Sequence, residues 1–382
     1  MKLTLLQDLV CPCGGDLELT RVLESESNSS QNPTDIMSGW LRCGKCRENF
    51  PIIKGVPRML LDPLRSTLKR EYPEFFSNAV EHSETEPFAG YESKLRTMRS
   101  FGYEWRHFSD FRPEGEANFR WYFASYPPES LRGKVLLDVG CGKGRHLFFA
   151  AQHAQKLIGV DLSPAVDAAF ENTCHLQNVH VVQADLFHLP LRSRSFDMVY
   201  SLGVLHHLPE PEAGFREILR YGRLGADVLV YLYWSLNDEP RWKKYLLSLV
   251  AMARRVTTRV PFRPLRIFSW CVAVGCEICF VAPYRVLRNT RWKRFAETLP
   301  LKLYADFPFR LVYQDQFDRF SAPIENRYDR EDVEGWLMRS GVKNWVIIRG
   351  SGWRAMGKIP ASSTPAEVAE STGNGVDRFF QL

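Results

Sequence analysis

The sequence predicts an α/β protein whose core is a mostly parallel β-sheet. Between Leu131 and Trp234, apolar runs of strand length alternate with helical stretches, a pattern typical of parallel strands covered by helices on both faces. The first run, KVLLDVG, leads directly into the glycine-rich turn CGKG. Glycines in such a turn let a ligand or another element approach the backbone closely. Two cysteine pairs before residue 50 indicate an additional small domain at the N-terminus.

Composition and turn residues divide the chain into six segments. The stretch DREDVEGWLMRSG has an acidic start and a glycine stop, as a helix should, and the tail after Pro360 is small and polar. The segments are an N-terminal cysteine domain at 1–61, a helical linker or cap at 62–130, the ligand-binding core at 131–235, a helical basic insertion at 236–328, a closing helix and strand pair of the core at 329–359, and a disordered tail at 360–382.

The composition is that of an ordinary globular protein, with 45% hydrophobic and 25% charged residues in 382. The apolar run at the start of the chain is too short for a signal peptide, and Asp8 interrupts it. Nine cysteines without an export signal fit a reducing compartment, where thiols bind metal or are simply buried. We therefore expect a cytoplasmic protein.

Positive charge is concentrated in the predicted insertion. Between Arg241 and Lys302, fourteen Lys and Arg residues face only Glu277 and Glu297, a net charge of +12, which leaves −6 for the rest of a chain of net charge +6. The segment 267–283 is apolar except for Glu277. Three interpretations are open: a helical lid with a solvated basic face, docking on an anionic membrane, and binding of RNA phosphates.

The glycine turn excludes two kinds of ligand. A phosphate-binding Walker loop needs Gly, four residues and then Gly-Lys-Ser/Thr, which GCGKGRH lacks. The dinucleotide fingerprint G-x-G-x-x-G needs glycine where Arg145 stands. The turn instead has the pattern G-x-G-x-G, formed by Gly140, Gly142 and Gly144. It follows Asp138, which lies at the end of the first predicted strand.

Acids also end the next two predicted strands. Asp161 lies twenty-one residues beyond Gly140, where a carboxylate can accept ribose hydroxyls, and Asp185 can accept an adenine amino group. Either acid could instead cap the helix that follows it. Asp138 beside the turn would repel a pyrophosphate but not a cationic ligand that carries an amino group. The ligand most consistent with these residues is S-adenosylmethionine.

The core segment resembles the class I S-adenosylmethionine-dependent methyltransferases, particularly the branch with the quinone-biosynthesis enzymes. The motifs that carry the resemblance are LLDVGCGKGRH, GVDLS, QADLFHLPLRSRSFDMVYS and GVLHHLPEPEAGFREILR. The family implies an enzyme with a Rossmann-like sheet and an antiparallel final strand. It also implies that Asp138 and the turn Gly140–Gly144 hold the methionine part, Asp161 the ribose, and Asp185 with Leu186 the adenine. The predicted cofactor site comprises Asp138, Gly140, Cys141, Gly142, Gly144, Asp161, Leu162, Asp185, Leu186 and Ser201.

The N-terminal cysteine pairs, Cys11 with Cys13 and Cys43 with Cys46, have the composition of a tetrahedral zinc site. Together with FPIIKGVPRML, they resemble the zinc ribbon of tRNA methyltransferase activators. The first pair reads C-P-C where that family has C-P-x-C, so a metal-free ribbon with buried thiols stays open. We expect a structural zinc ion, and we expect the methyltransferase sheet to fold without this site.

The sequence specifies the catalytic residues and the methyl acceptor less closely than it specifies the cofactor site. His206 and His207 follow the fourth predicted strand, at the mouth of the expected crevice, where a histidine is either a general base or a packing residue. The leading prediction is a methyltransferase acting on a small-molecule or lipid-like acceptor by O- or C-methylation, with contact to an anionic membrane if the acceptor is lipid-linked. The alternatives are a tRNA or protein methyltransferase and, outside enzymes, a non-catalytic zinc-ribbon module that binds a partner.

Overall fold

The computed structural model describes residues 1–26, 35–77, 90–109 and 114–360, so the predicted disordered tail lies, from residue 361 onward, outside the described residues. The described strands form two sheets, one of four strands and one of seven. The strands are β1 (Leu17–Glu26), β2 (Asp35–Cys43), β3 (Asn49–Ile53), β4 (Val56–Pro57), β5 (Val135–Val139), β6 (Lys156–Asp161), β7 (Val179–Gln183), β8 (Phe196–Leu202), β9 (Gly222–Leu232), β10 (Lys343–Arg349) and β11 (Trp353–Lys358).

The seven-stranded sheet confirms the predicted fold class. Its order is β10-β11-β9-β8-β5-β6-β7, with β5 to β9 parallel and β11 antiparallel to both of its neighbours. The chain runs outward from β5 through β6 to β7 and then returns to place β8 on the other side of β5. In open α/β sheets this reversal creates a crevice at the carboxyl ends of the strands, where ligands bind.

Helices cover the larger sheet and form the insertion. They are α1 (Ser66–Glu71), α2 (Pro73–Phe76), α3 (Tyr91–His107), α4 (Glu114–Tyr122), α5 (Arg145–Ala150), α6 (Val166–Thr173), α7 (Pro211–Leu219), α8 (Arg241–Thr257), α9 (Phe262–Cys276), α10 (Ala282–Leu287), α11 (Lys293–Ala296), α12 (Phe309–Ser321) and α13 (Arg330–Arg339). A π-helical turn, Glu277–Val281, joins α9 to α10. Short 3₁₀ turns cover Leu3–Leu5, Pro128–Leu131, Leu186–His188, Leu205–His207 and Lys302–Asp306. The acids predicted to start the closing helix form a capping box at α13, where Asp329 is the N-cap.

The four-stranded N-terminal sheet is joined to the edge of the larger sheet. Directly after β4, Arg58 bridges Gln183 of β7 in parallel register, and the Met59 N–H donates to the Gln183 carbonyl at 2.7 Å. Met59 and Phe50 belong to the same buried cluster as Val182 of β7. The N-terminal domain therefore extends the central sheet beyond β7 and shares its core.

Arg58 and Asp167 form the most buried ion pair between the N-terminal domain and the domain of the seven-stranded sheet among the described residues. The Arg58 side chain has 0% exposure, and one guanidinium nitrogen lies 2.5 Å from Asp167 Oδ1 on α6. The guanidinium also donates to the Ile53 carbonyl at 2.9 Å and to Gln183 Oε1 at 3.1 Å, and the Tyr72 hydroxyl donates to the Asp167 carboxylate. A buried ion pair is favourable only when such further hydrogen bonds compensate for the lost hydration. Here they do so for both terminal nitrogens of Arg58, while Nε has no partner among the described residues.

The insertion packs through small apolar clusters, one of which joins Leu265 on α9 and Phe317 on α12 to Phe108, the residue that follows α3. Helix α8 has no buried residue. Among the described residues, one helical stretch, Phe262–Leu287, is long and apolar enough by length and composition to cross a membrane, and 22% of an 18-residue window in it is buried.

Candidate functional site

A pocket opens at the carboxyl edge of the seven-stranded sheet. The space inside it, including its open mouth, is about 1100 Å³. Its floor is formed by the ends of β5, β6 and β7, and α3 lies over it through Met98, Phe101 and Trp105. Of the predicted cofactor residues, those that line this pocket are Gly140, Cys141, Gly142, Asp161, Leu162, Asp185 and Leu186.

The glycine turn is conformationally demanding, as its sequence predicts. Gly140 has φ +87°, and a Cβ added there would lie 2.1 Å from Val204 Cγ2. Gly144 has φ +81°, and its Cβ would lie 3.1 Å from the Ala169 Cα on α6. A side chain at either position would be strained and would push the turn away from the loop after β8 or from α6.

The Asp161 carboxylate ends β6 and is held by three hydrogen bonds. Oδ2 accepts the Gly142 N–H at 2.9 Å, while Oδ1 accepts the Ser163 N–H at 2.8 Å and the Ser163 hydroxyl at 2.7 Å. Burial raises the pKa of Asp161, and these three donors oppose the rise. Because a carboxylate has about four acceptor positions, roughly one remains, on Oδ2. The carboxylate thus has room for one ribose hydroxyl rather than the two that the sequence suggests.

Asp185, at the third strand end, already has a cationic neighbour. Lys94 Nζ of α3 lies 2.5 Å from Asp185 Oδ2, and the Phe187 N–H donates to Oδ1 at 3.2 Å. Burial alone would raise the pKa of Asp185, but His188 and Lys94 lower it to about 2. The carboxylate is therefore ionised, and an adenine amino group must share it with Lys94 or displace Lys94.

Three predicted cofactor residues lie beneath the pocket and do not line it. Asp138 is 2% exposed, and burial raises its pKa well above the usual range. Ser201 is fully buried and donates its hydroxyl hydrogen to the Val139 carbonyl at 2.8 Å. Gly144 packs on α6. In this structure these residues support the turn from below, and their roles toward a cofactor stay predictions.

The two histidines differ in position. His207 lines the pocket, but its Nδ1 lies 2.6 Å from the Ile324 carbonyl, and burial lowers its pKa to about 4. His206 is fully buried, and its ring stacks on that of Tyr233 with centroids 3.8 Å apart. Neither of its ring nitrogens has a hydrogen-bond partner among the described residues. The geometry favours a packing role for His206, and a catalytic role for His207 stays a prediction.

The four N-terminal cysteines converge as predicted. Their Sγ atoms all lie within 4.8 Å of one another, with Cys11 and Cys46 3.6 Å apart and Cys13 and Cys43 3.5 Å apart. A tetrahedral zinc ion with Zn–S bonds of about 2.3 Å holds its sulfurs about 3.8 Å apart. The donor set and the spacing fit zinc.

Gly15 explains how the shortened C-P-C turn still reaches the site. A Cβ at Gly15 would lie 2.6 Å from Cys43 Sγ, so only glycine lets the turn come this close. The Cys11 N–H closes the turn on the Gly15 carbonyl at 2.8 Å. On the opposite side, the N–H groups of Lys45 and Cys46 point to Cys43 Sγ at 3.4 Å, as is common around metal-bound thiolates.

Most of the basic residues between Arg241 and Lys302 fall into two groups. Five of them form ion pairs with acids: Lys243–Glu239, Arg254–Glu325, Arg285–Glu277, Arg288–Asp306 and Lys302–Glu297. Eight others form no ion pair with any described residue, and we call them the free basic residues: Arg241, Lys244, Arg255, Arg259, Arg263, Arg291, Lys293 and Arg294. Exposed aromatic side chains, including Trp242, Tyr245 and Trp292, lie among them in the sequence.

Two family models match the chain. A model described as a methyltransferase domain covers residues 137–230, and a model described as Trm112p-like protein covers residues 2–55. The chain joins a class I methyltransferase domain to a Trm112-like domain. The resemblance to class I methyltransferases and the resemblance to the zinc-ribbon domain, both stated from the sequence, are thereby confirmed, and so is the prediction of a methyltransferase domain.

The curated relatives have names that refer to tRNA. The chain is 26% identical over 193 residues to the probable tRNA methyltransferase 9B of Bos taurus, a match that covers 46% of this chain and 40% of the relative. It is 29% identical over 235 residues to the tRNA U34 carboxymethyltransferase of Aliarcobacter butzleri, covering 56% and 75%, and 30% identical over 137 residues to that of Desulfotalea psychrophila, covering 34% and 42%. The chain thus spans about two fifths of the length of the first curated relatives it matches.

Solved structures match over parts of the chain. The [4+2]-cyclase SpnF is 29% identical, with a TM-score of 0.29, and the match covers 30% of this chain and 45% of that one. A complex of the Haloferax volcanii Trm112 methyltransferase activator is 21% identical, with a TM-score of 0.31, covering 38% and 66%.

The prediction of a small-molecule or lipid-like acceptor is wrong. The prediction of contact with an anionic membrane depends on a lipid-linked acceptor, so it is wrong as well. The relatives are named for tRNA, the alternative substrate. The prediction depends on one branch of a widespread fold and on the apolar run of the insertion. Neither feature specifies an acceptor, because the same fold serves many chemistries.

Proposed function

We propose that this chain is an S-adenosylmethionine-dependent methyltransferase that acts on tRNA. The observation that carries the proposal is the match to the Aliarcobacter butzleri tRNA U34 carboxymethyltransferase, which extends over 75% of that protein. The Bos taurus relative is also named for tRNA, from a different branch of life. A shared substrate class is the simplest reason for such names among relatives that align with the same methyltransferase domain.

The pocket supports S-adenosylmethionine as the donor. When bound, this cofactor supplies an electrophilic methyl group. Asp161 offers an acceptor position for a ribose hydroxyl, and Asp185 offers an ionised carboxylate for the adenine amino group. The turn Gly140–Gly144 keeps side chains away from the place where the methionine part is predicted to lie. The α3 residues Phe101 and Trp105 add aromatic surface to the lining of the pocket.

The Trm112-like domain supports a structural zinc ion held by Cys11, Cys13, Cys43 and Cys46. Such an ion would link the turn before β1 to the turn between β2 and β3. It would have no open coordination position, because all four ligands are protein thiolates, and therefore no part in the chemistry.

The free basic residues support a polyanionic substrate. Internal acids neutralise five of the cations in this segment, but these eight have no ion-pair partner among the described residues. Unpaired exposed cations raise the affinity for phosphates and make it depend on salt. Exposed aromatic rings such as Trp292 give unstacked bases a surface to lie on.

Methyl transfer to tRNA is tested with total tRNA from a strain that lacks the gene, so that the acceptor position is unmodified. Purified protein and S-adenosylmethionine labelled in the methyl group should transfer label to this tRNA and not to tRNA from the parent strain. Nuclease digestion and mass spectrometry then identify the methylated nucleoside. The same reaction is run with a cell extract in place of the tRNA. Label that appears only in the small molecules of that extract would contradict the proposal.

The cofactor site is tested with Asp161→Ala. Loss of a hydrogen bond to a charged acceptor costs about 1.5–3 kcal/mol, so affinity for S-adenosylmethionine should fall about 10- to 150-fold by calorimetry. The matched control is Asp238→Ala, because Asp238 lies on the surface away from the pocket with a side chain that is 67% exposed. Unchanged affinity in a folded Asp161→Ala variant would remove this residue from the site.

A further inference from the structure

A group of acids and tyrosines lies where the insertion meets the carboxyl ends of β8 and β9. We call it the acid–tyrosine cluster, and none of its members belongs to the predicted cofactor site. It consists of Glu104 on α3, Tyr233 just after β9, Tyr304 in the turn before α12, and Asp315 and Asp318 on α12.

Only neutral groups donate hydrogen bonds to the three carboxylates of this cluster among the described residues. The bonds are Tyr233 OH to Asp318 Oδ2 at 3.4 Å, Tyr304 OH to Asp315 Oδ2, and Gln314 Nε2 to Glu104 Oε1 at 3.2 Å. Nearby Glu325 shows the contrast, because it has ion pairs with Arg254 at 3.1 Å and Arg327 at 2.8 Å. The insertion therefore neutralises one acid with two cations and leaves the other three without a salt bridge.

Several buried polar atoms at the cluster have no hydrogen-bond partner in the part of the chain that the structure describes. They include Glu104 Oε2 and Asp318 Oδ1, which are acceptors, and Gln316 Nε2 and Arg319 Nε, which are donors. Glu104 is 1% exposed and Gln316 is 3% exposed. A buried polar atom without a partner is costly, and native proteins keep few of them. Acceptors and donors left over together are suited to a polar ligand that carries both.

The electrostatics of the cluster are also unfavourable by themselves. Burial and the charge of Glu325 raise the pKa of Asp318 to about 6, against the opposing charges of Arg254 and Arg319. Burial also raises the pKa of Asp315 to about 6; Asp318 adds to the rise, while Tyr304, Arg319 and Arg145 oppose it. For Glu104, burial and the two aspartates raise the pKa well above its usual range, against Gln314 and Lys143. Groups held in such a state are concentrated at functional sites.

One aromatic ring separates the cluster from the cofactor pocket. His207 lines the pocket, and its ring lies 5.9 Å from the ring of Tyr233, whose hydroxyl contacts Asp318. Arg145 also lines the pocket, and its charge acts on Asp315. The cluster thus lies next to the cofactor pocket and under the insertion, and its own residues do not line that pocket.

We propose that the acid–tyrosine cluster receives the acceptor base of the RNA, with Asp315 and Asp318 accepting hydrogen bonds from its N–H or O–H groups. The inference rests on the proposed function. An extruded base is held by stacking on aromatic rings and by hydrogen bonds to its edge. Tyr304 offers a ring next to Asp315, whereas one face of the Tyr233 ring is already stacked on His206.

The cluster also provides a destination for a proton. An electron pair of the acceptor atom forms the bond to the methyl carbon, the electrons of the broken S–C bond remain on sulfur, and the acceptor's proton passes to the carboxylate of Asp318. The substrate class that follows is a base whose reacting atom carries a hydrogen. A carboxylate acceptor carries no proton on its reacting atom at neutral pH and would need no such proton acceptor.

The test compares Asp318→Asn and Asp315→Asn with Asp306→Asn, a control on the same insertion whose side chain is 74% exposed. Single-turnover methyl transfer at saturating tRNA should fall about 10²- to 10⁴-fold in the cluster variants, the range for loss of a general base. The wild-type rate should rise with pH through about 6 and then level off, and Asp318→Asn should lose this rise. The control should keep the wild-type rate and profile.

Thermal unfolding separates this role from a structural one. An acid whose pKa is raised on folding makes the folded state less stable as the pH rises from about 4 to about 6, and above that range the loss of stability stays constant. The amide variant lacks this penalty, so Asp318→Asn should melt at or above the wild-type temperature at pH 8, and that advantage should shrink at pH 4. Its affinity for S-adenosylmethionine should equal that of the wild type.

Three results would overturn the inference. Folded variants that methylate tRNA at the wild-type rate at every pH would remove the cluster from the reaction while leaving the proposed function intact. An Asp318→Asn variant that melts well below the wild type at pH 8 would assign the residue to the fold. A wild-type protein that methylates no RNA would overturn the proposed function, and the inference with it.

Discussion

The Trm112-like domain and the helical insertion are both additions to the methyltransferase domain, but they contact it differently. The Trm112-like domain places Phe50 and Met59 in the same buried cluster as Val182 of the central sheet. The insertion instead packs in smaller clusters separate from that core, one of which it shares with Tyr103 of α3, and α8 has no buried residue. Side chains such as Met252 and Val256 on α8 are 59% and 67% exposed.

Because the two additions contact the methyltransferase domain differently, we expect one to contribute to stability and the other to the binding of another molecule. A domain that shares the core of its neighbour adds to the free energy of folding of both, because their apolar surfaces are removed from water together. Helices that leave cations and large apolar side chains exposed contribute little to that core but present a surface to another molecule. We therefore expect changes in the Trm112-like domain to affect stability, and changes on α8 to affect binding.

Loss of the proposed zinc ion should have the largest effect. Structural zinc contributes on the order of 10 kcal/mol in small zinc domains at neutral pH. Because the two domains share a core, a chelator or Cys43→Ser should lower the melting temperature of the whole chain, in contrast to the expectation from sequence alone that the methyltransferase sheet folds without the site. Elemental analysis should find about one zinc per chain. Cys174→Ser, outside the cluster, is the control, and a metal-free protein of undiminished stability would contradict the prediction.

Arg58→Ala should have the next largest effect. It leaves the Asp167 carboxylate buried with only the Tyr72 hydroxyl as a partner, and breaking a buried pair in this way costs about 3–5 kcal/mol. The matched control is Arg192→Ala, which breaks the ion pair with Asp16 between the same two domains, where the side chains are 51% and 80% exposed. An exposed pair is worth at most about 1 kcal/mol. Equal losses for the two variants in denaturant unfolding would show that the domains are not joined through Arg58.

The parts of the site whose residues lie within a short motif are predictable from the sequence. The glycine turn, the strand ends at Asp161 and Asp185 and the four cysteines all come from spacing over a few residues, and the structure brings each set together. The same reasoning could not place Lys94 on Asp185 or Arg58 on Asp167, because these partners are 91 and 109 residues apart. Such pairs are created by how elements pack, and no local pattern encodes them.

The acid–tyrosine cluster was missed for a related reason. In the sequence, the α12 acids Asp315 and Asp318 are spaced like the solvated face of an amphipathic helix, which is the commonest place for acids on a helix. Only the fold shows that this face of α12 turns toward Tyr233 and Glu104. A signal in the sequence would have been the lack of basic residues at helical spacing from these acids apart from Arg319.

Charge reversal at Arg255, near the end of α8, and at Arg259, just after it, should leave stability almost unchanged and alter binding. Arg255 and Arg259 are exposed and free of ion pairs among the described residues, so Arg255→Glu with Arg259→Glu should change the free energy of unfolding by no more than about 0.5 kcal/mol. Arg254, the residue before them, is unsuitable because it pairs with Glu325 and donates to the Ala322 carbonyl.

If the two arginines contact tRNA phosphates, each contributes about 0.7–0.9 to the slope of log affinity against log salt concentration, so the double variant should lose about 1.5 from that slope. Filter binding of tRNA across a range of salt concentrations measures it. The control is the same double reversal on the Trm112-like domain, Arg21→Glu with Arg42→Glu, which are also exposed. The same loss of slope from both variants would mean that tRNA contacts the two additions alike, and the functional difference between them would then disappear.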